Sequence, residues 1–265
     1  MIAPQRKKQI INLAEFAAHE FSHGNTTLLH EIAKFEGVQY YFDNYEDAFD
    51  GILLYDHREF HIHLNIDKGN SEESKRGRFT FAHELGHYLL DEHRLGLKYG
   101  LLEPHASFHN YNQTSKIEIE ANFFASNLLM PADKFRKQSG GKKFSFETIL
   151  NLSESFQTSI QAVLIRFEQI GTHEIFAIVS NNGVVKWSVK SEDFPRWKHR
   201  YKNGDTIPET ILPNSTRKNM NVSLINTSDP EKWFIIEYED NRANRIMYEQ
   251  WFYSKNYMIN MMWFD

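Results

Sequence analysis

The chain has no cysteine among its 265 residues. That excludes a disulfide framework and any thiolate metal site, so a bound metal ion would have to rest on histidine and carboxylate ligands. An excess of positive charge is lacking as well. The formal net charge is −5, without the basic field that drives non-specific nucleic-acid binding, and nucleic acid is not expected as a direct ligand. Long apolar runs are also missing. The opening stretch MIAPQRKKQIINLAEFAAHEF mixes charged, polar and apolar residues, unlike the apolar core of a signal peptide or a membrane span. A cytoplasmic location with no membrane partner is the expectation. No internal repeat or low-complexity segment occurs.

Core material is ample, at 41% hydrophobic and 14% aromatic residues, in a chain long enough for one large domain or two ordinary ones. Apolar residues at helical spacing predict helices over Gln9–Glu20 and Thr27–Phe35, joined at Ser22–Asn25. From Gly51 to Ile66 the pattern alternates. Phe60, Ile62, Leu64 and Ile66 fall on one face and His61, His63 and Asn65 on the other, a half-buried strand in a hairpin turning at Asp56–Arg58. A helix follows to about Leu90, with Asn70 and Glu73 placed to cap it. After a loop at about Asp91–Asn112, another helix spans Ser115 to Leu129 and stops at Met130-Pro131. Helices at Ser145–Glu154 and Ser159–Ile170 come next. Beyond Gly171 strand formers dominate, beginning with EIFAIVSNNGVVKWSVK, whose Asn-Gly predicts a hairpin.

The chemistry lies in RFTFAHELGHYLL, Arg78–Leu90. On a helix, His83 and His87 are one turn apart on one face, so both imidazoles reach one metal ion. Glu84 is rotated off that pair into the position of a general base in His-Glu-x-x-His metallopeptidases. Ala82, Leu85 and Leu89 form an apolar face, and Gly86 permits a close approach. Two histidines on an exposed surface helix would have the same letters. A catalytic zinc needs a third protein ligand, and SKIEIEANFFASNLLMP offers Glu118 and Glu120. Ser115-x-x-Glu118 also reads as a capping box. Glu118 shares a face with the small residues Ala121 and Ala125 and with Asn122, where another helix could come close, whereas Glu120 lies beside Phe123 and Phe124. Glu118 is favoured, with Glu120 as the alternative.

These two segments together resemble the ImmA/IrrE family of zinc-dependent metallopeptidases, whose signature pairs a His-Glu-x-x-His helix with a later helix ending in Leu-Leu-Met-Pro. The resemblance covers about Asp50–Ile170. It implies a gluzincin-like core, in which an active-site helix packs on a small sheet; with the strand formers beyond Gly171, the expected fold is α+β with a β-rich C-terminal region. It further implies Zn2+ held by His83, His87 and Glu118, Glu84 as catalytic base, and a protein substrate such as a transcriptional repressor encoded nearby. The domains expected are 1–171, a zinc metallopeptidase domain with a helix-turn-helix-like pair at about 144–171, and 172–265, β-rich and of unassigned role.

The function implied is a zinc-dependent endopeptidase of restricted range, with metal-assisted hydrolysis as its chemistry. The strand Glu59–Asp67 is expected to border the cleft and pair with substrate. His105, His109 and Tyr111 are candidate oxyanion donors. The alternative is a zinc-bearing regulatory or partner-binding protein without peptidase activity. A DNA-reading role for the helical pair fits poorly, since its second helix offers only Arg166 as a base.

Overall fold

The computed structural model describes residues 2–104, 107, 115–141, 143–170, 172–212, 222–236, 245–254 and 257–264. The fold is α+β with a β-rich C-terminal region. It divides into two compact units, Met1–Phe135 with Leu152–Ser159, and Arg136–Asn151 with Ile160–Asp265. This division runs through the helical pair, ahead of the boundary expected near residue 171. No described helix is long and apolar enough to cross a membrane.

The first unit opens with helix α1 (Pro4–Glu20), which starts on a proline, whose missing N–H costs nothing there. Strands β1 (Ser22–His23) and β2 (Thr26–Thr27) form a minimal hairpin around Gly24 and lead into helix α2 (Leu29–Glu36). Gly37, at φ 70°, then turns the chain into a strand that the sequence pattern did not reveal, β3 (Gln39–Asp43). With β4 (Gly51–Tyr55) and β5 (Phe60–Asn65) it makes a three-stranded sheet in the order β3-β5-β4.

The expected hairpin joins β4 to β5, but β5 pairs with β3 on its other side, in parallel. It is therefore the central strand and has no free edge for a substrate. The expectation that Glu59–Asp67 pairs with substrate is overturned; the edge on the hairpin side is β4. Two face assignments also change. Ile62 and Leu64 are fully buried as expected, yet Asn65 is buried with them and Ile66 is exposed. The strand ends at Asn65 and a short 3-10 turn reverses the alternation. Asn65 is buried because its side chain satisfies the backbone of the preceding loop, donating to Glu46 O and Phe49 O at 2.8 Å and accepting from Tyr45 N–H at 3.1 Å.

Helix α3 (Lys75–Leu89) is capped by Ser74, whose hydroxyl accepts from Gly77 N–H at 2.8 Å. Asn70 does not cap it. Its buried side chain instead donates to Asp50 O and Asn65 O, each at 3.1 Å, and accepts from Thr80 Oγ1 at 2.8 Å, tying the sheet to the helix. The segment read as a loop after Leu90 begins with helix α4 (Asp91–Lys98). Leu90 alone breaks the helical path, with φ −80° and ψ 105°, and one extended residue suffices to redirect the chain. Helix α5 (Lys116–Leu129) follows, and Ser115 makes no side-chain cap to it, so the capping-box reading of Glu118 falls away.

Helices α6 (Ala132–Ser139), α7 (Phe146–Ser155) and α8 (Ile160–Ile170) come next. Arg166 is buried at 2% exposure, which removes the one base the pair could have offered to phosphate. In the second unit β6 (Ile175–Asn181) and β7 (Val184–Lys190) form the hairpin predicted from Asn-Gly, with Asn182 and Gly183 both at positive φ. They join β9 (Asn226–Ser228), β11 (Met247–Tyr253) and β12 (Met258–Phe264) in an antiparallel sheet ordered β7-β6-β12-β11-β9. A separate pair, β8 (Lys198–His199) with β10 (Phe234–Ile235), lies within this unit. Its aromatic core includes Phe176, Phe194, Trp197, Trp233, Phe234 and Trp251. Strand β6 is buried on both faces, which explains its unbroken apolar run.

Gly77 marks how tightly α3 enters the first unit: a Cβ there would stand 2.1 Å from the backbone carbonyl oxygen of Ser71. Backbone cannot give way as a side chain can, so Gly77→Ala is expected to destabilise the unit by about 1–3 kcal/mol. Chemical unfolding of wild type and variant checks this, and equal midpoints would contradict it.

Candidate metal centre

Helices α3 and α5 approach closely at Gly86, where a Cβ would meet Phe124 Cδ1 at 3.0 Å. Ala121, Phe124 and Ala125 of α5 are fully buried, and so are Ala82 and Leu85 of α3. Gly86 of α3, expected to permit a close approach, receives Phe124 of α5, and Glu118 arrives opposite the two histidines. His87 Nε2 lies 3.0 Å from Glu118 Oε1, His83 Nε2 lies 3.3 Å from Glu118 Oε2, and the two Nε2 atoms are 3.1 Å apart. His83, His87 and Glu118 are all buried. Their ligand atoms lie within 4.8 Å of one another, and the three form the one group of this kind found among the described residues that could hold a metal ion.

The outer nitrogens are held as well. His83 Nδ1 sits 2.9 Å from Asn122 Oδ1 on α5. An amide oxygen only accepts, so the Nδ1 proton is fixed and the Nε2 lone pair faces the cluster. His87 Nδ1 sits 3.2 Å from His93 Nδ1, which α4 supplies after the break at Leu90. Sequence reasoning missed both partners. Asn122 had a readable signal, since it lies one turn after Glu118 on the same helical face. His93 was passed over, because its segment was read as a loop and not as a helix.

Glu84 is buried at 1% exposure, outside the three-residue group, beside the start of β4. A Cβ on Gly51 would lie 2.7 Å from Glu84 Oε1 and 2.6 Å from Thr80 Cγ2, so a glycine is required there. Glu120, the alternative to Glu118, is placed elsewhere. Its Oε2 pairs with Arg6 Nη2 of α1 at 2.7 Å and lies 3.3 Å from His93 Nε2.

Ser107 is a further neighbour not foreseen. Its N–H donates to Gly51 O at 2.9 Å, its carbonyl accepts from Asp50 N–H at 2.8 Å, and its Oγ is 3.1 Å from His83 Nε2. An antiparallel backbone on the β4 edge therefore comes directly beside the cluster. His105, His109 and Tyr111, the candidate oxyanion donors, lie outside the described residues. His61 and His63 stay apart from the cluster, stacked with Tyr41 on another part of the sheet.

Charge within the cluster is uneven. Burial pulls His83 down, but the carboxylates of Glu118 and Glu84 outweigh it and raise its pKa above the ordinary histidine value. Burial dominates at His87, with charge on His83 adding to it, and brings its pKa to about 3. At pH below that raised value a proton on His83 adds positive charge beside Glu118, while His87 stays neutral above about 3.

Residues 54–168 match the family model described as Peptidase M78, IrrE N-terminal-like domain, so this stretch is a domain of the family that its two motifs resemble. A search of curated proteins finds no match. Among solved structures, the chain is similar to a Mycobacterium tuberculosis transcriptional regulator, with 13% identity and a TM-score of 0.61 over 97% of this chain and 76% of that one. At that identity the likeness is one of fold.

The raised pKa of His83 sets a pH dependence. A metal ion needs the Nε2 lone pair, so its binding must expel the His83 proton wherever pH lies below that raised value. Metal affinity is expected to climb with pH up to the His83 pKa and level off above it. Calorimetry in buffers of different ionisation enthalpy should find release of about one proton on the acid side. For stability of the metal-free fold the two histidines have opposite signs. His83 contributes below the ordinary histidine pKa and its contribution is lost as pH rises through the raised value; stability linked to neutral His87 is lost as pH falls from the ordinary value towards about 3. Metal affinity independent of pH would contradict the assignment of the proton.

Proposed function

We propose that the IrrE N-terminal-like domain at residues 54–168 makes this chain a zinc-dependent endopeptidase of restricted range, acting on a regulatory protein such as a transcriptional repressor. The observation that carries the reading is the convergence of His83, His87 and Glu118, with Glu84 buried next to them but outside the group. Two imidazoles and one carboxylate are a donor set that suits zinc, and three protein ligands, the number found among the described residues, are typical of a catalytic site. Each histidine's outer nitrogen already has a neighbour, which leaves the Nε2 atoms for the ion. The residues therefore fit the metal. Zinc held there supplies Lewis-acid polarisation of a scissile carbonyl and a water acidic enough to deprotonate near neutral pH.

The chain's own residues do the rest. Glu84 accepts the proton of the attacking water and delivers it to the leaving amine, a general base and then a general acid. Its burial keeps solvent from competing for that proton, and Gly51 leaves the space it occupies. The Gly51–Ser107 bridge supports the path of an extended substrate backbone, since a strand paired on the β4 edge runs past His83. Main-chain pairing of this kind tolerates many side chains. Selectivity must then come from recognition elsewhere on a folded partner, which favours one exposed linker in a regulator over indiscriminate digestion.

Three variants test the reading. His83→Ala and Glu118→Gln should lose zinc in metal analysis, whereas Glu84→Gln should keep both zinc and fold and lower cleavage of the true substrate by about 10²–10⁴-fold. The substrate assay sets the protein product of a neighbouring repressor gene against casein. Single-site cleavage of the repressor supports restricted range; rapid Glu84-dependent digestion of casein would refute it. If Glu84→Gln keeps full cellular activity, the protein acts as a zinc-bearing binding module.

A further inference from the structure

A buried polar chain runs outward from the metal cluster and crosses three helices beyond α3. His87 Nδ1 lies 3.2 Å from His93 Nδ1 on α4. His93 Nε2 lies 3.3 Å from Glu120 Oε2 on α5. Glu120 Oε2 accepts from Arg6 Nε of α1 at 2.8 Å and pairs with Arg6 Nη2 at 2.7 Å. Arg6 Nη1 reaches Glu92 at 2.9 Å, near the surface. His87, His93 and Glu120 are each at most 2% exposed. Burying three such groups in a row is costly unless they neutralise one another in one definite arrangement.

That arrangement can be derived from the inside out. His87 Nε2 points at His83 and Glu118, so for it to bind a metal its lone pair must be there and its proton on Nδ1. The facing Nδ1 of His93 must then accept, which puts the His93 proton on Nε2. Nε2 faces the Glu120 carboxylate at ion-pair distance, although not in hydrogen-bond alignment. Arg6 holds the Glu120 carboxylate in place through two contacts. Every proton position follows from the one before it, and the order ends on a fixed cation.

We propose that His93, oriented by Glu120 and Arg6, is a positioning residue that holds His87 in its metal-binding tautomer and orientation. Nothing in this role requires His93 to touch substrate or metal. It also makes α1, through Arg6, a structural support of the metal site although that helix supplies no ligand. The proposal rests on the reading that His83, His87 and Glu118 hold a metal ion, and its test must fail separately from that reading.

The discriminating variants change one end of His93 at a time. His93→Asn places Oδ1 near the position of the ring Nδ1 and keeps an acceptor for His87. His93→Gln reaches the Nε2 position and keeps the contact with Glu120, but leaves nothing at Nδ1. His93→Leu removes both. Zinc affinity is measured by chelator competition, and the visible absorption of the Co2+-loaded protein reports ligand geometry independently of any activity; thermal unfolding of each metal-free variant controls for the fold. The expected result is a loss of about 10–100-fold in zinc affinity for His93→Leu and His93→Gln, with an altered Co2+ spectrum, and near-native affinity and spectrum for His93→Asn.

Arg6→Leu should give a smaller loss in the same direction. Equal losses in His93→Asn and His93→Gln would overturn the tautomer role, as would native affinity in His93→Gln. Should His93→Leu fail to fold, the Asn and Gln pair still decides. His83→Ala is the control for the site itself. If His83→Ala keeps full zinc affinity, the metal-site reading fails; if it loses zinc while His93→Gln does not, only the positioning role is lost.

Discussion

Everything at the candidate site depends on how closely α3 and α5 approach at Gly86. Phe124 packs where a side chain on residue 86 would be, and at that separation the Glu118 carboxylate reaches both Nε2 atoms. A slightly wider spacing would leave a carboxylate and two imidazoles buried without contact, and an unpaired buried charge is among the most destabilising features a core can contain. The cluster therefore does not stabilise the fold in any simple sense. Apolar packing of Ala82, Leu85, Ala121, Phe124 and Ala125 holds the helices together, and the ionisable groups are retained at some cost in desolvation. A cation between them, whether a proton on His83 or a metal ion, offsets that cost.

The surrounding structure serves to make this cluster rigid. Asn122 and His93 reach the two histidines from different helices, so neither ring is oriented by its own helix alone. On the sheet side, Asn70 binds Asp50 O and Thr80, and Arg76 pairs with Asp50 at 2.6 Å. These bonds fix the start of β4 against α3. Gly51 then lies beside Glu84 with no room for a methyl group. A carboxylate confined in this way is suited to proton transfer, because little reorganisation is needed when charge moves.

The edge position of β4 has a similar standing. A hairpin between β4 and β5 was evident from the alternation and the turn at Asp56–Arg58, yet the hairpin alone left open which strand would be covered. Strand β3, whose residues Gln39–Asp43 show little amphipathic contrast, takes one side of β5 in parallel pairing. That long-range choice makes β4 the edge strand on the hairpin side of the sheet, and Ser107 pairs with that edge at Gly51.

The sequence by itself determined the α3 helix and its histidine face, the apolar stripe of α5 and its stop before Pro131, and the β6–β7 hairpin at Asn-Gly. These were legible because each depends on residues a few positions apart, where helical or strand periodicity and turn chemistry act directly. Only the tertiary structure decided that Asn70 would tie the sheet to α3 instead of capping it, that β5 would be central, and that His93, Glu120 and Arg6 would line up behind His87. Those outcomes join residues 6 to 114 positions apart, and no helical or strand periodicity encodes them. They follow from which surfaces must be buried together and from the need of each buried polar atom for a partner once they are.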